Sequence, residues 1–197
     1  MTGLREQKKR RTRLSLATAA VELLICEGDE GATVAAIAAR AGVSTRTFHN
    51  YFAAREDAFL FFLEETIADW VDKVRAAPAD RTPFEALRDV LVEMYTRPDH
   101  DIAAAPNLVT IAEHVAAGLG PDSRERGRTM FDGLRTALVD RSGGTLTPFL
   151  AQTLIGVCLA ACGGVLDAAR DPELAQGVGV ADLLDDAFAF VAAGAAD

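Results

Sequence analysis

The chain has 197 residues, half of them hydrophobic but only 7% aromatic, and its 20 basic and 29 acidic residues give a formal net charge of −9. That length supports one large or two small cores, the Ala-rich apolar content favours helices, and no stretch alternates apolar and polar residues for long enough to argue a sheet. The charged start is no secretory signal, and the apolar run Leu154–Leu166, 13 residues with three glycines, is too short to span a bilayer. Cys26, Cys158 and Cys162 form neither a disulfide set nor a metal cluster, so the expected setting is a reducing cytoplasm without a membrane partner.

In chain order, residues 1–9 read as a flexible basic arm. A first helix follows from about Arg10 to Glu27, with Leu14, Ala17, Ala20, Val21 and Leu24 as its buried face. Gly28–Gly31 is a turn. Thr33 caps a second helix beginning at Val34 and brings its hydroxyl or nearby amides to a phosphate. In that helix Val34, Ile37, Ala38 and Ala41 form one buried stripe, and Gly42 ends it in the left-handed conformation. Ser44 caps a third helix that turns Phe48 and Phe52 inward and leaves Thr45, Arg46, Thr47, His49 and Asn50 to solvent.

Two short helices joined by so tight a turn are the layout of a helix-turn-helix, whose second helix enters a major groove. Arg46 then suits guanine O6 and N7, Asn50 suits adenine, and Thr45 and Thr47 suit a thymine methyl or a phosphate. The competing reading is an ordinary solvated helix face. Charge favours the first: residues 1–55 hold nine basic and five acidic side chains, which leaves eleven basic and twenty-four acidic for the other 142. A basic module on an acidic chain marks the end that meets phosphate.

The segments IAARAGVS, TRTFHNYF and REDAF, within roughly residues 10–60, resemble the TetR family of bacterial transcriptional regulators. The resemblance implies an aromatic pair closing the recognition helix, here Tyr51 and Phe52, and a basic residue opening the next helix, here Arg55. The chain departs from the family pattern in two places. Ala53 and Ala54 replace a Pro and a small polar cap, which weakens that cap and leaves Arg55 less firmly placed. His49 replaces an aromatic, so its phosphate contact depends on protonation. The candidate DNA-contacting set is Thr33, Ser44, Thr45, Arg46, Thr47, His49, Asn50, Tyr51 and Arg55.

A long helix from about Arg55 to Ala76 carries Phe59, Phe62, Leu63, Thr66, Ile67, Trp70, Val71 and Val74 at helical spacing, and it links the head to a second core. Pro78 ends it. Thr82, Pro83 and Glu85 signal a capped helix to about Arg97. Pro106 opens a short helix with Ile111 and His114. Another starts at Asp122, with Met130, Phe131, Leu134, Ala137 and Leu138 inside and Arg124, Arg126 and Arg128 outside, and ends at Gly143 and Gly144. Thr147 and Pro148 begin a helix to about Ala169, and Asp182–Ala193 forms the last, with Leu184, Ala187, Phe188 and Val191 on one side.

These elements predict an all-α protein: a three-helix DNA-binding head over residues 1–54, and a helical effector-binding and dimerisation domain over 55–197. The penultimate helix is apolar nearly all round, with Gly156, Ala160, Gly163 and Gly164 allowing close approach, so a homodimer through the last two long helices is expected. The resemblance implies a four-helix dimer interface. A two-fold dimer would set two recognition helices about 34–36 Å apart, or a multiple of that, on a pseudo-palindromic operator.

The resemblance also implies a small-molecule pocket whose occupation tilts the long helix and spreads the heads. Candidate lining residues are Phe62, Trp70, Met94, Tyr95, Asn107, Ile111, His114, Met130, Phe131 and Cys158, each also readable as plain core. Few charges among them favour an apolar or aromatic effector. Arg124, Arg126 and Arg128 suit either an anionic tail such as that of an acyl-coenzyme A or a solvated face.

Catalysis finds no support. His100 beside Asp99 and Asp101, or His114 beside Glu113, are neighbours in sequence that point in different directions on a helix, and Cys158 with Cys162 falls short of a zinc ligand set. No phosphate loop, nucleophile elbow or HExxH motif is present. No cofactor is expected. The sequence reads as a DNA-binding regulator, a repressor released by a small ligand. The alternative is a helical ligand-binding or enzymatic protein whose head no longer binds DNA.

Overall fold

The computed structural model describes residues 2–118, 125–127 and 129–194; Asp122, Arg124 and Arg128 lie outside them. The helices among the described residues are α1 (Thr2–Gly31), α2 (Val34–Arg40), α3 (Thr45–His49), α4 (Arg55–Ala76), α5 (Pro83–Thr96), α6 (Ala105–Gly118), α7 (Asp132–Arg141), α8 (Pro148–Arg170), α9 (Pro172–Ala175) and α10 (Val180–Ala193), with no strand. The all-α expectation therefore holds. The chain forms two compact units, residues 1–66 with 99–130 and residues 67–98 with 131–197. Helix α4 runs without interruption through the boundary in the chain.

In the first unit α1 packs on α2 and α6, and α2 on α3. Residues 2–9 are helical where a flexible arm was expected, because Leu4, Arg5, Glu6, Gln7, Lys8 and Lys9 are all good helix formers with no breaker among them. Gly28, at φ 75 and ψ −175, interrupts α1 where the turn was read. The buried face of α1 is Leu16, Ala17, Ala19, Ala20, Val21, Leu23 and Leu24, whereas Leu14 is exposed. Its stripe is thus displaced from the predicted one, with Leu16, Ala19 and Leu23 inside and Leu14 outside.

The weak cap expected before α4 is repaired locally. The Asp57 carboxylate, three residues into the helix, accepts from the Ala54 amide at 3.2 Å, and Glu56 and Asp57 place negative charge at the positive end of the helix dipole. Arg10 reaches Glu65 at 2.6 Å, tying α1 to α4.

In the second unit α8 packs against α10, α7, α9 and α5. The signals that begin α5 and α8 act as read, whereas α7 and α10 start without a side-chain cap. Thr82 and Glu85 form a reciprocal capping box, which holds the Glu85 carboxyl below its ordinary range, first through the Thr82 amide and then its hydroxyl. The Thr147 hydroxyl accepts from the Leu150 amide at 3.2 Å. Gly143 and Gly144 follow α7 with φ of 60 and 95.

The helix expected from Asp122 through Leu138 is not continuous. Residues 130–131 form a turn, so Met130 and Phe131 are half-buried ahead of α7, while Leu134, Ala137 and Leu138 are in the core. Helix α8 has 23 residues, and its most apolar window reaches a mean hydropathy of 2.0, so the shortness of Leu154–Leu166 does not itself exclude a span. One face of α8, including Ile155, Cys158, Cys162 and Val165, is nevertheless buried in the unit.

The turn from α4 to α5 is held from α7. The Arg141 guanidinium donates to the carbonyls of Arg81 at 3.0 Å, Val74 at 3.2 Å and Ala77 at 3.1 Å, and also to that of Pro78. These carbonyls belong to the end of α4 and the turn after it, where helix carbonyls lack intrahelical donors; that of Pro78 also accepts from the Arg81 amide at 3.1 Å. Arg141→Met should lower stability by about 2 kcal/mol in urea unfolding, as expected for losing hydrogen bonds to a charged donor; a change under about 0.5 kcal/mol would show that the clamp contributes nothing.

Candidate nucleic-acid interface

The interface begins with backbone turns. After α2, Gly42 adopts φ 69; its amide donates to the Ala39 carbonyl at 3.1 Å and the Val43 amide to the Ala38 carbonyl at 2.9 Å. This pairing closes a helix through a left-handed residue that glycine takes without a Cβ penalty. The Ser44 hydroxyl then accepts from the Thr47 amide at 3.1 Å and lies 2.9 Å from the Thr47 hydroxyl. Thr33 caps α2 in the same manner, accepting from the Ala36 amide at 3.2 Å.

Helix α3 is fixed from below by aromatic packing. Phe48 and Phe52 are 0% and 3% exposed, with ring centroids 5.7 Å apart, and Phe52 lies 5.8 Å from Phe61 of α4. The Arg13 guanidinium sits 4.2 Å from the Phe61 centroid and 5.3 Å from that of Phe52, within cation–π range. Its Nε is buried without a hydrogen-bond partner, so the rings supply its main local compensation. Sequence reasoning missed Arg13. The signal was its place four residues before Ala17, on the line Ala17, Ala20, Leu24 that was read as buried.

Above this cluster Thr45, Arg46, His49 and Asn50 are exposed. The edge of the His49 ring meets Phe48 at 5.5 Å. No side-chain hydrogen bond or ion pair engages Arg46 or Asn50 among the described residues. The structure thus brings Thr45, Arg46, His49 and Asn50 onto one short, capped helix with their polar atoms available. Ser44 and Thr47 belong to the same surface, but their hydroxyls serve the cap. Tyr51 is half-buried after α3.

Arg55 differs from its expectation. It donates to the Asp29 carbonyl at 2.6 Å, the Asp29 carboxylate at 3.0 Å and Glu56 at 2.8 Å, and these bonds, to Glu56 first, raise its pKa above the ordinary arginine value. It is firmly placed and spent on holding the α1–α2 turn to α4, because two carboxylates lie within its reach.

The effector candidates fall into both compact units. Phe62, Asn107, Ile111, His114 and Met130 belong to the first, and Trp70, Met94, Tyr95, Phe131 and Cys158 to the second. Several of their polar atoms are already engaged. Asn107 donates to the carbonyls of Asp99 and Asp101, each at 2.9 Å, and His114 Nδ1 lies 2.8 Å from the Thr110 carbonyl, with Nε2 3.7 Å from Asp29. Tyr95 donates to the Cys162 carbonyl. Burial pushes the Cys158 thiol up to about 12 and that of Cys162 to about 11, so both stay protonated and unreactive at neutral pH. Arg126 forms a fork on Glu64 at 2.9 and 2.6 Å, which removes it as a free anion site.

An open apolar groove of about 550 Å³ lies elsewhere in the second unit, lined by Val157, Ala160 and Gly164 of α8, Leu174 of α9, and Leu183, Ala187 and Phe190 of α10, among others. Phe190 is 65% exposed at its edge. None of the effector candidates lines it.

Comparison with known proteins agrees with this geometry. The sequence profile described as "Bacterial regulatory proteins, tetR family" matches residues 16–60. The HTH-type transcriptional regulator TcmR of Streptomyces glaucescens is 35% identical over 85 residues, covering 43% of this chain and 38% of TcmR; the matched region thus spans well under half of that relative. Among solved structures, a transcriptional regulator from Rhodococcus sp. Rha1 superposes with a TM-score of 0.65 at 24% identity, covering 92% of this chain and 96% of the other. FadR of Thermus thermophilus, a TetR-family repressor solved with lauroyl-CoA, superposes at 0.59 with 22% identity over 91% and 93%. At such identities these likenesses concern the fold. Residues 16–60 thus match the sequence profile of the TetR family of bacterial regulatory proteins, and the helical architecture along nearly the whole chain is similar to that of solved transcriptional regulators.

Proposed function

We propose that the chain is a homodimeric, sequence-specific DNA-binding transcriptional regulator, a repressor released from its operator by a small apolar or aromatic molecule. The observation that carries this reading is the exposed set Thr45, Arg46, His49 and Asn50 on a helix whose other side is locked by Phe48 and Phe52. A preorganised polar face loses little freedom on entering a groove, so its hydrogen bonds count toward recognition. Arg46 reads guanine and Asn50 adenine by bidentate bonds, Thr45 approaches a thymine methyl, and Thr33, Ser44, Thr47, His49 and Tyr51 border the phosphates. Arg55 acts indirectly, by fixing the turn before α2. The division of labour follows the sequence: a head over residues 1–54 and an effector-binding and dimerising region over 55–197.

Dimerisation through α8 and α10 is supported by the open groove and by Phe190 at its rim, since an apolar surface of this kind favours burial. A Cβ placed on Gly156, Gly163 or Gly164 would meet nothing within 4 Å, which leaves room for a second helix. The effector is argued to be uncharged because Asn107, Tyr95 and His114 already hold backbone carbonyls and Arg126 is neutralised by Glu64. The lauroyl-CoA seen in Thermus thermophilus FadR makes an acyl chain a natural first compound to test by calorimetry.

Arg46→Ala and Asn50→Ala should each cost about 1–3 kcal/mol in operator affinity and relax preference at one base position, read by binding to a panel of single-base operator variants. Unchanged preference in both would remove α3 from the reading role. Phe190→Asp should convert the dimer to monomer in sedimentation at micromolar concentration and weaken operator binding. A wild-type chain that sediments as a monomer there would refute the dimer.

A further inference from the structure

We propose that His114 of α6 is a proton-operated latch on the elbow between α1 and α2: its charged ring holds Asp29 and its neutral ring releases it, so that α6 grips the elbow more firmly at low pH than at high pH. Asp29 lies one residue after Gly28, where α1 leaves helical geometry, and four before Thr33, which caps α2. Helix α6 packs against α1, and His114 Nε2 lies 3.7 Å from Asp29 Oδ1. That separation is close enough for attraction between charges and too long for a hydrogen bond from an uncharged ring.

The other ring nitrogen decides which form makes the contact. Nδ1 lies 2.8 Å from the Thr110 carbonyl, and a carbonyl only accepts, so Nδ1 carries a hydrogen in both forms of the ring. In the neutral ring Nε2 is then a lone pair facing a carboxylate, which is repulsive. A proton added there turns the same nitrogen into a charged donor. The sign follows: the contact is present at low pH and is lost as pH rises.

The charged groups that border this contact are Asp29 on the elbow, Arg55 and Glu56 at the start of α4, and the chain neighbours Glu30 and Glu113. Arg55 lies 2.8 Å from Asp29 Oδ1, the oxygen nearest to His114, and 2.8 Å from Glu56. Two carboxylates thus share one guanidinium, an excess of one negative charge that a proton on His114 balances. Arg55 itself repels a histidinium, but its own charge is already met twice. Glu30 and Glu113 are exposed, so salt screens what they add. Helix α6 closes on the same cluster at its last residue, where a Cβ on Gly118 would lie 2.6 Å from Glu56 Cγ. With α6 held near α4 there, and Asp29 held to α4 through Arg55, the pair forms between groups already positioned.

The elbow in turn places α2. The Ala32 and Thr33 amides donate to the carbonyls of Gly28 and Gly31 at 3.3 and 2.9 Å, and the Thr33 hydroxyl accepts from Ala36. Holding Asp29 therefore steadies the start of α2. The latch does not rest on the DNA-reading function proposed above, because its test needs no DNA.

The test is hydrogen exchange of the Ala32 and Thr33 amides in the full chain at about pH 5.5 and about pH 8, across the interval in which histidines change charge, with each rate corrected for intrinsic exchange. Wild-type protection should be about threefold greater at the lower pH, the size expected of a partly exposed ion pair. His114→Gln is neutral throughout and should be equally protected at both pH values. His114→Lys is charged throughout and should keep the low-pH protection at the higher pH. Asp29→Asn, with the histidine in place, should remove the pH dependence, and amides of α8 in the other compact unit should follow none of these changes. Equal wild-type protection at the two pH values overturns the latch, as does a pH dependence that survives in His114→Gln or Asp29→Asn. A change shared by α8 would report global stability and overturn it too.

Discussion

A helix of five residues cannot hold itself. Nucleating a helical turn fixes several dihedrals for one hydrogen bond, and segments far longer than α3 are marginal in water. What sustains α3 is the burial of Phe48 and Phe52, each contributing roughly 1.5–3 kcal/mol through area removed from water, together with the Ser44 cap. Because Phe52 touches Phe61 and both rings face Arg13, the pose of α3 is set jointly by α1 and α4. A shift of α4 in the first unit therefore acts on the pose of α3 through this cluster.

Electrostatics then sorts the cations into two populations. Arg10, Arg40, Arg55 and Arg126 are taken by carboxylates of the same unit, and they act as fasteners between helices. Exposed pairs of this type are individually weak, but Arg55 combines two carboxylates with a backbone carbonyl and is half-buried, which makes it the firmest of them. Arg5, Lys8, Lys9 and Arg46 remain outside this network. Their charge is not consumed by the fold, and it is the part of the head's positive balance that a polyanion can meet.

What could be read in the sequence was local. Thr33, Ser44, Thr82, Thr147, Gly42 and the Gly143–Gly144 pair announce their caps and turns because the signal and its consequence lie within a few residues of each other. Phe48 and Phe52 were legible for the same reason. What escaped depends on partners far along the chain. Leu14 and Leu16 are equally apolar, and only the helices packed on α1 decide which is buried. Arg55 has a nearby Glu56 but takes its second carboxylate from Asp29, twenty-six residues earlier, so its commitment was invisible from spacing. The break at residues 130–131 has no glycine or proline to mark it. Arg13 was passed over because a charged residue on an apolar stripe reads as the end of that stripe, whereas stacking on two rings lets the stripe continue through it.

The same distinction between local cost and distant compensation bears on α8. Glycine inside a helix is less stable than alanine by about 0.5–1 kcal/mol per residue, and α8 carries Gly156, Gly163 and Gly164 in its interior. Inside a packed unit such a cost is offset when a neighbour occupies the space a Cβ would fill. Here the space is empty within 4 Å at all three positions, and Val157 and Phe190 stand exposed beside it at 43% and 65%. A single chain therefore bears the cost of the glycines and the exposure of the apolar side chains together, with nothing returned for either. Close approach of a second copy of α8 along this face would offset both at once, and that is the physical ground of the proposed homodimer, since the helix's own unit covers it on one side only.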